Sequence, residues 1–239
     1  MIIIVAGEYM SKLKLKSFLP HDKLSPKLWL ESGKMKEQVR EALLLISNEF
    51  LDYLKIDVDV SDITITGSYA NYNYTPYSDI DLHIIIEFAD ITNNEELIEG
   101  FMSAKKSYWN DKYDITVEGI EVEIYPQDKS EEHISSGVYS IDNNEWVVSP
   151  KKFLKEPNTS AAKKKADMLR RDINSAIKSE DLKEIERLIE KVKKIRASGL
   201  ERSGEMSTEN IAYKILRSDN LIQKLYDSKF KAYSVSLSI

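Results

Sequence analysis

The sequence predicts an α+β protein: a small mixed β-sheet backed by helices, followed by a C-terminal helical region. Three observations support this fold class. β-Branched residues alternate over residues 63–66, an apolar run with two aspartates follows at 79–86, and apolar residues recur at helical spacing from residue 157 onward. Strands grouped early in a chain and helices grouped late are typical of α+β architecture.

The remaining elements follow from periodicity in chain order. Apolar residues at helical spacing predict a helix from Met35 to Leu54 that backs the sheet. A second helix is expected over Asp90–Trp109, and a hairpin over Val138–Val148 turns at Asp142-Asn143-Asn144. The C-terminal helices are predicted at 158–178, 181–197 and 207–226, with Gly199 and Gly204 marking the last break.

The stretch with the clearest chemistry joins the first two strands. The strand Ile63–Thr66 stops at Gly67-Ser68, where glycine lets the backbone turn and approach a ligand closely. Ten residues later, Asp79 and Asp81 lie on one face of the next strand. Paired carboxylates repel each other unless a cation lies between them, and Asp oxygens suit Mg²⁺. An Asp-x-Asp pair on a solvated edge strand is the alternative.

A third carboxylate is available from residues 115–125, which are predicted to form two short strands broken at Gly119. Glu121 and Glu123 share one face of the second strand, so either could join the aspartate pair. The run Val-Glu-Ile-Tyr-Pro-Gln favours Glu123, whereas Glu121 fits a solvated amphipathic strand better.

The order Gly67-Ser68, Asp79, Asp81, Glu123 resembles the nucleotidyltransferase superfamily typified by DNA polymerase beta. The resemblance implies a polymerase-beta-like core, an NTP substrate, and two Mg²⁺ ions, replaceable by Mn²⁺, held by Asp79, Asp81 and Glu123. The third acid of that pattern is usually Asp. The Glu at position 123 is a departure that reaches one methylene further.

The resemblance also implies nucleotide-binding residues. Gly67, Ser68, Tyr69 and Asn71 would lie at the first turn of a helix whose N–H groups meet the triphosphate. Tyrosines of this spacer could stack on a base or simply pack the helix on the sheet. A lysine from the helical part, Lys164 or Lys165, would reach the triphosphate.

A second, looser resemblance is to nucleotidyltransferase-domain proteins encoded by tailed bacteriophages. It rests on the stretch that runs from Pro26-Lys27-Leu28-Trp29 through Tyr72-Asn73-Tyr74 to Gly137-Val138-Tyr139-Ser140. This resemblance names no substrate.

Two domains are predicted: a catalytic domain with an N-terminal arm at residues 1–150, and a basic helical domain at residues 151–239. The balance of charged residues changes at the boundary between them. The second part holds 21 Lys and Arg against 13 Asp and Glu, while the first holds 13 against 27. Such asymmetry suggests contact with a polyanion, so RNA or another nucleic acid is a candidate acceptor. Solvated helix faces, or attraction between the two halves, would produce the same asymmetry. The basic residues concentrate at Lys163, Lys164, Lys165, Arg170, Arg171, Lys191, Lys193, Lys194 and Arg196.

Composition excludes several classes of protein. The chain has no cysteine, which excludes disulfides, zinc fingers and thiol catalysis. The apolar segment Met1–Gly7 is too short for a membrane span and lacks the basic residues of a signal peptide, so a cytoplasmic protein without membrane contact is expected. The predicted function is metal-dependent transfer of a nucleoside monophosphate to RNA or another nucleotide. The alternatives are nucleotidylation of a protein or small molecule, and an inactive nucleotide- or nucleic-acid-binding phage module.

Overall fold

A computed structural model describes residues 15–132 and 135–238. The predictions for Met1–Gly7 therefore lie outside the described residues. Contacts divide the chain into two compact units, which are called here the sheet unit, residues 20–152, and the helical unit, which comprises residues 153–238 together with 15–19.

The sheet unit contains one six-stranded mixed sheet with the strand order β3-β4-β2-β1-β5-β6. Strands β2 and β4 run parallel, and every other neighbouring pair is antiparallel. This architecture confirms the predicted α+β fold class. The elements are α1 Glu37–Leu54, β1 Val60–Thr66, β2 Ile80–Ile86, α2 Glu95–Lys112, β3 Thr116–Val117, β4 Ile120–Asp128, β5 Val138–Ser140 and β6 Glu145–Val148.

The two faces of the sheet differ because side chains alternate along each strand. One face carries buried aliphatic residues of β1, β2 and β4, such as Ile65, Leu82 and Ile124, which form a single core with the buried stripes of α1 and α2. The other face carries Asp81, His83 and other polar residues that are only partly buried. The apolar face therefore anchors the sheet and leaves the polar face available for chemistry.

The helical unit is built from four amphipathic helices around one aliphatic core. Three of them begin at side-chain caps. Asn158 accepts from the backbone N–H of Ala161, Asp181 from those of Lys183 and Glu184, and Ser207 from that of Asn210. Such caps satisfy N–H groups that have no partner inside the helix. The helices are α3 Thr159–Ser179, α4 Leu182–Ser203, α5 Thr208–Ser218 and α6 Leu221–Leu237.

The helix breaks differ from the predicted ones. The single helix predicted over 207–226 is two helices, because Asn220 adopts a left-handed conformation with a φ of 57°. Asparagine tolerates that conformation better than most residues, and it ends the preceding helix. Helix α4 runs through Gly199, which was expected to mark a break, and ends at Gly204.

The predicted domains, residues 1–150 and 151–239, stay a prediction, while the contact units group residues 15–19 with the helices. Phe18 is buried in the core of the helical unit, although residues 1–150 were predicted to belong with the sheet. Its distance in sequence from α3 hid this contact. In the described ranges, no helix combines the length and apolar character that a membrane span requires.

A substitution at Gly199 would test the packing of the helical unit. A Cβ atom at this position would lie 2.4 Å from Cβ of Glu209 and 2.9 Å from Oγ of Ser207. We expect Gly199→Ala to lower the free energy of unfolding by about 1–3 kcal/mol because the added methyl overpacks the contact. Denaturant unfolding followed by circular dichroism would measure this change.

Gly100 is the matched control, since it also lies inside a helix but nothing comes within 4 Å of its Cβ position. Gly100→Ala should raise stability by roughly 0.5–1 kcal/mol through helix propensity alone. Equal gains at both glycines would show that Gly199 is not a packing position.

Candidate active site

Strand register brings carboxylates from β2 and β4 side by side. Asp81 pairs directly with Glu123 across the parallel β2–β4 ladder, and Thr66 of β1 pairs with Asp81 from the other side. Residues directly opposite each other point to the same face of a sheet. Glu121 instead pairs with Thr116 at the sheet edge and is exposed, so the register brings Glu123 beside the aspartates.

Asp79 is positioned by the turn that precedes β2. The backbone N–H of Thr75 donates to Oγ of Ser78 over 3.0 Å, and the N–H of Ser78 donates to the carbonyl of Thr75 over 3.1 Å. Tyr77 adds a third bond by donating its N–H to Oγ1 of Thr75. Short hydroxyl side chains commonly fix turns in this way. The turn delivers Asp79 to the start of β2, where it is 6% exposed.

The three carboxylates form one cluster. One carboxylate oxygen from each of Asp79, Asp81 and Glu123 lies within 4.8 Å of those from the other two. Each pair of negative charges at that separation repels by about 3–4 kcal/mol at an effective dielectric of 20. The donors are all hard oxygen atoms, which are the ligands preferred by Mg²⁺ and Mn²⁺. The arrangement therefore fits a divalent cation.

Gly67 leaves the space that the Asp81 carboxylate occupies. A Cβ atom at residue 67 would lie 1.7 Å from Oδ2 of Asp81, and the residue has a φ of 67°. Both facts require glycine, one because of the missing side chain and the other because of the backbone conformation. Ser68 follows directly and is partly exposed beside the cluster.

The spacer after Ser68 forms a series of turns, so the helix expected here is not present. Asn71 explains the difference. Its side-chain Nδ2 donates to the carbonyl of Gly67 over 2.7 Å, the position that a helical backbone N–H would take, while its own N–H donates to the carbonyl of Ser68. Local side-chain bonds of this kind compete with helix formation. The dipole of a helix N-terminus is consequently not available to a triphosphate here.

Asn71 and Tyr69, which were predicted to bind nucleotide, are both buried. Oδ1 of Asn71 accepts from Oγ of Ser136, so its amide fastens the Gly67-Ser68 turn to another loop. Tyr69 packs in the core, where burial first, and then the neighbouring Tyr74 and Asp79, raise the pKa of its hydroxyl. Both side chains therefore support the Gly67-Ser68 turn from within the protein.

The predicted cation Lys164 is exposed on α3 in the helical unit, whereas Lys165 is ion-paired with Glu209 at 2.6 Å. Of the two lysines considered for the triphosphate, Lys164 is therefore the more accessible. Its role in nucleotide binding stays a prediction.

Tyr125 is a residue of the site that sequence reasoning missed. It pairs with His83 in the β2–β4 register, and its hydroxyl donates a hydrogen bond to Oε2 of Glu123. Burial first, and then Glu123 and the two aspartates, raise the pKa of Tyr125, so the hydroxyl keeps its proton. The sequence signal was available, because Tyr125 lies two residues after Glu123 and hence on the same face.

Two further contacts hold the strands that carry the cluster. His83 lies between Thr66 and Gln127, with Nε2 3.0 Å from Oγ1 of Thr66 and Nδ1 2.7 Å from Oε1 of Gln127. On β4, Asn110 of α2 pairs with both the N–H and the carbonyl of Ile124 at 3.1 Å. The Asn110 side chain thus provides the hydrogen bonds that a neighbouring strand would make to Ile124, next to Glu123, where the short β3 no longer pairs with β4.

One comparison with known protein families agrees with this geometry. Residues 47–145, which include all three carboxylates and Gly67, match the family model described as a nucleotidyltransferase domain. A solved structure of a STING-associated CdnE c-di-GMP synthase from Capnocytophaga granulosa is 16% identical and covers 84% of each chain, with a TM-score of 0.22. That score is too low to support any structural argument. Comparison with curated proteins gives no match.

The family match covers the strands, the glycine turn and the acidic cluster that carried the resemblance in the sequence. The link to bacteriophage proteins stays a prediction. On this match, residues 47–145 are identified as a nucleotidyltransferase domain.

Proposed function

We propose that this nucleotidyltransferase moves a nucleoside monophosphate from an NTP to the hydroxyl of an RNA end or of another nucleotide, with release of pyrophosphate. The observation that carries the proposal is the cluster of three carboxylates within 4.8 Å beside Gly67. Three carboxylates held this close repel one another unless a cation lies between them. A bound divalent metal would remove this repulsion and would also assist phosphoryl transfer.

Asp79 and Asp81 would hold one Mg²⁺, and together with Glu123 they would hold a second. Mn²⁺ would substitute. When bound, such ions neutralise charge on the phosphates and lower the pKa of the attacking hydroxyl.

The side chains of the chain perform the remaining steps. Glu123 accepts the proton of the acceptor hydroxyl as its oxygen forms a bond to the α-phosphorus. The bond between the α-phosphorus and the bridging oxygen breaks in line with this attack, and pyrophosphate leaves. Ser68 would bind the departing pyrophosphate through its hydroxyl, beside the Gly67 turn. Positioning and electrostatic stabilisation supply most of the rate in such a reaction.

The choice of a nucleic-acid acceptor is supported by exposed cations on the helical unit. Several of its basic residues are ion-paired internally, for example Lys163 with Asp167 and Lys191 with Asp172. Others are exposed on α3 and α4, among them Lys164, Arg171 and Lys194. Exposed cations of this kind are suited to phosphates of a nucleic-acid backbone.

Transfer of α-labelled NTPs tests the function. Wild-type protein with Mg²⁺ or Mn²⁺ would be offered RNA, nucleotides, proteins and small metabolites, and label should appear in RNA or nucleotide. Asp79→Asn and Asp81→Asn should each lower the rate by at least about 100-fold, because each removes a charge that the transition state requires. Asp57→Asn, at an exposed position remote in sequence from the cluster, is the matched control and should be unchanged.

If the label appears in a protein or a metabolite instead, the proposed acceptor is wrong, but the proposed enzyme class is retained. An absence of label in every acceptor, together with no cation-dependent NTP binding in calorimetry, would contradict the catalytic proposal and favour a binding module.

The close approach of Gly67 to Asp81 gives a second test. Gly67→Ala should weaken Mn²⁺ binding by about 10- to 100-fold, because the added methyl displaces the Asp81 carboxylate. Calorimetric titration with Mn²⁺ would measure the loss.

Gly119 separates this displacement from backbone strain. It has a φ of 70°, close to that of Gly67, and the nearest atom to its Cβ position is Nζ of Lys27 at 4.0 Å. Gly119→Ala should therefore cost about 1–2 kcal/mol of stability and leave Mn²⁺ binding unchanged. Equal Mn²⁺ affinity in the two variants would show that the contact with Asp81 is unimportant.

Salt dependence tests the nucleic-acid acceptor. If Lys164, Arg171 and Lys194 contact phosphates, the logarithm of the affinity for single-stranded RNA should fall with the logarithm of salt concentration. Their combined replacement by Gln should reduce the slope by about 2, at roughly 0.7 per phosphate contact. Fluorescence anisotropy would measure both slopes.

The control removes the same charge from exposed positions elsewhere, by replacing Lys34, Lys55 and Lys224 with Gln. An identical change of slope in the control and the helical variant would leave only a general charge effect and contradict a defined RNA surface.

A further inference from the structure

We infer that Tyr125 is a positioning residue that orients the third carboxylate, Glu123, for metal binding and proton transfer. The inference rests on the proposed function. Its starting point is the hydrogen bond from the Tyr125 hydroxyl to Oε2 of Glu123. That bond holds one oxygen of the Glu123 carboxylate and orients this carboxylate toward Asp79 and Asp81, with which it forms the cluster.

The need for such a residue follows from the side chain at position 123. Glutamate has one more rotatable bond than the aspartate usual in this pattern, so its carboxylate samples more positions and loses more entropy when it is fixed. A donor two residues further along the same strand face removes this freedom before substrate binds. Tyr125 thereby compensates for the longer acid.

Tyr125 can perform this role because its own ring is held by two neighbouring side chains. The ring stacks on that of His83 with a centroid separation of 5.2 Å and an interplanar angle of 21°. Nζ of Lys106 lies 4.3 Å from the ring centroid, within the range of a cation–π interaction. His83 is in turn fixed between Thr66 and Gln127. The hydroxyl is therefore aimed by contacts that do not involve the carboxylates.

Tyr125→Phe isolates the hydroxyl, because phenylalanine keeps the ring and its stacking. We expect Mn²⁺ affinity, measured by calorimetry and by the electron paramagnetic resonance signal of free Mn²⁺, to fall about 10- to 100-fold, as it commonly does when a partner of a ligand is removed. Nucleotide transfer should slow by a similar factor at saturating NTP. Thermal unfolding monitors the fold of each variant.

Tyr108→Phe is the matched control. Tyr108 is about half exposed on α2, stacks on Tyr53, and is approached by Lys112, so the variant removes a tyrosine hydroxyl from a comparable stacked environment. Its Mn²⁺ affinity and transfer rate should equal those of wild type.

A double-mutant cycle tests whether Tyr125 acts through Glu123. In a Glu123→Ala background, where no carboxylate remains to orient, Tyr125→Phe should have no further effect on the residual Mn²⁺ affinity. An equal loss in both backgrounds would reduce Tyr125 to general packing and overturn the inference. So would wild-type Mn²⁺ affinity in Tyr125→Phe.

These outcomes are separable from failure of the proposed function. If wild type binds Mn²⁺ and transfers nucleotide while Tyr125→Phe behaves like it, only the role of Tyr125 is wrong. If wild type neither binds Mn²⁺ nor transfers nucleotide, both proposals are wrong.

Discussion

The sheet unit must hold Asp79, Asp81 and Glu123 close together against their electrostatic repulsion, and the rest of its structure depends on this constraint. Their oxygens lie within 4.8 Å of one another, and one of the three residues is almost fully buried. Side chains on a flexible loop would move apart to relieve such repulsion. Here the residues are attached to adjacent strands whose opposite faces are buried in an aliphatic core, so the backbone cannot yield without exposing that core.

Neighbouring residues shape the cluster further. Gly67 provides the volume for the Asp81 carboxylate, the Thr75–Ser78 turn delivers Asp79, and Tyr125 engages Glu123. Asn110 secures the β4 backbone at Ile124, on the edge of β4 that faces away from β2 and beyond the residues that pair with β3. Each contact uses a backbone or side-chain group that would otherwise be free to move, and together they fix the acids before any ligand arrives.

The helical unit follows a simpler physical logic. Amphipathic helices with capped N-termini bury one stripe each, and a close approach at Gly199 lets α4 pack against residues at the start of α5. Much of its basic charge is neutralised by ion pairs within the unit. The remaining exposed cations, among them Lys164, Arg171 and Lys194, are fewer than the sequence count suggests.

The sequence alone determined the α+β class, the alternation that places Asp79 and Asp81 on one strand face, and the glycine that precedes them, because these depend on local periodicity and residue chemistry. Glu123 could be preferred over Glu121 but not separated from it. Only the tertiary structure shows that Glu123 lies beside Asp81, through the parallel register of β2 with β4. It also decided that Asn71 and Tyr69 turn inward, that Phe18 joins the helical core, and that Tyr125 reaches Glu123. Such contacts join residues whose proximity depends on packing and hydrogen bonding between segments, which local periodicity does not encode.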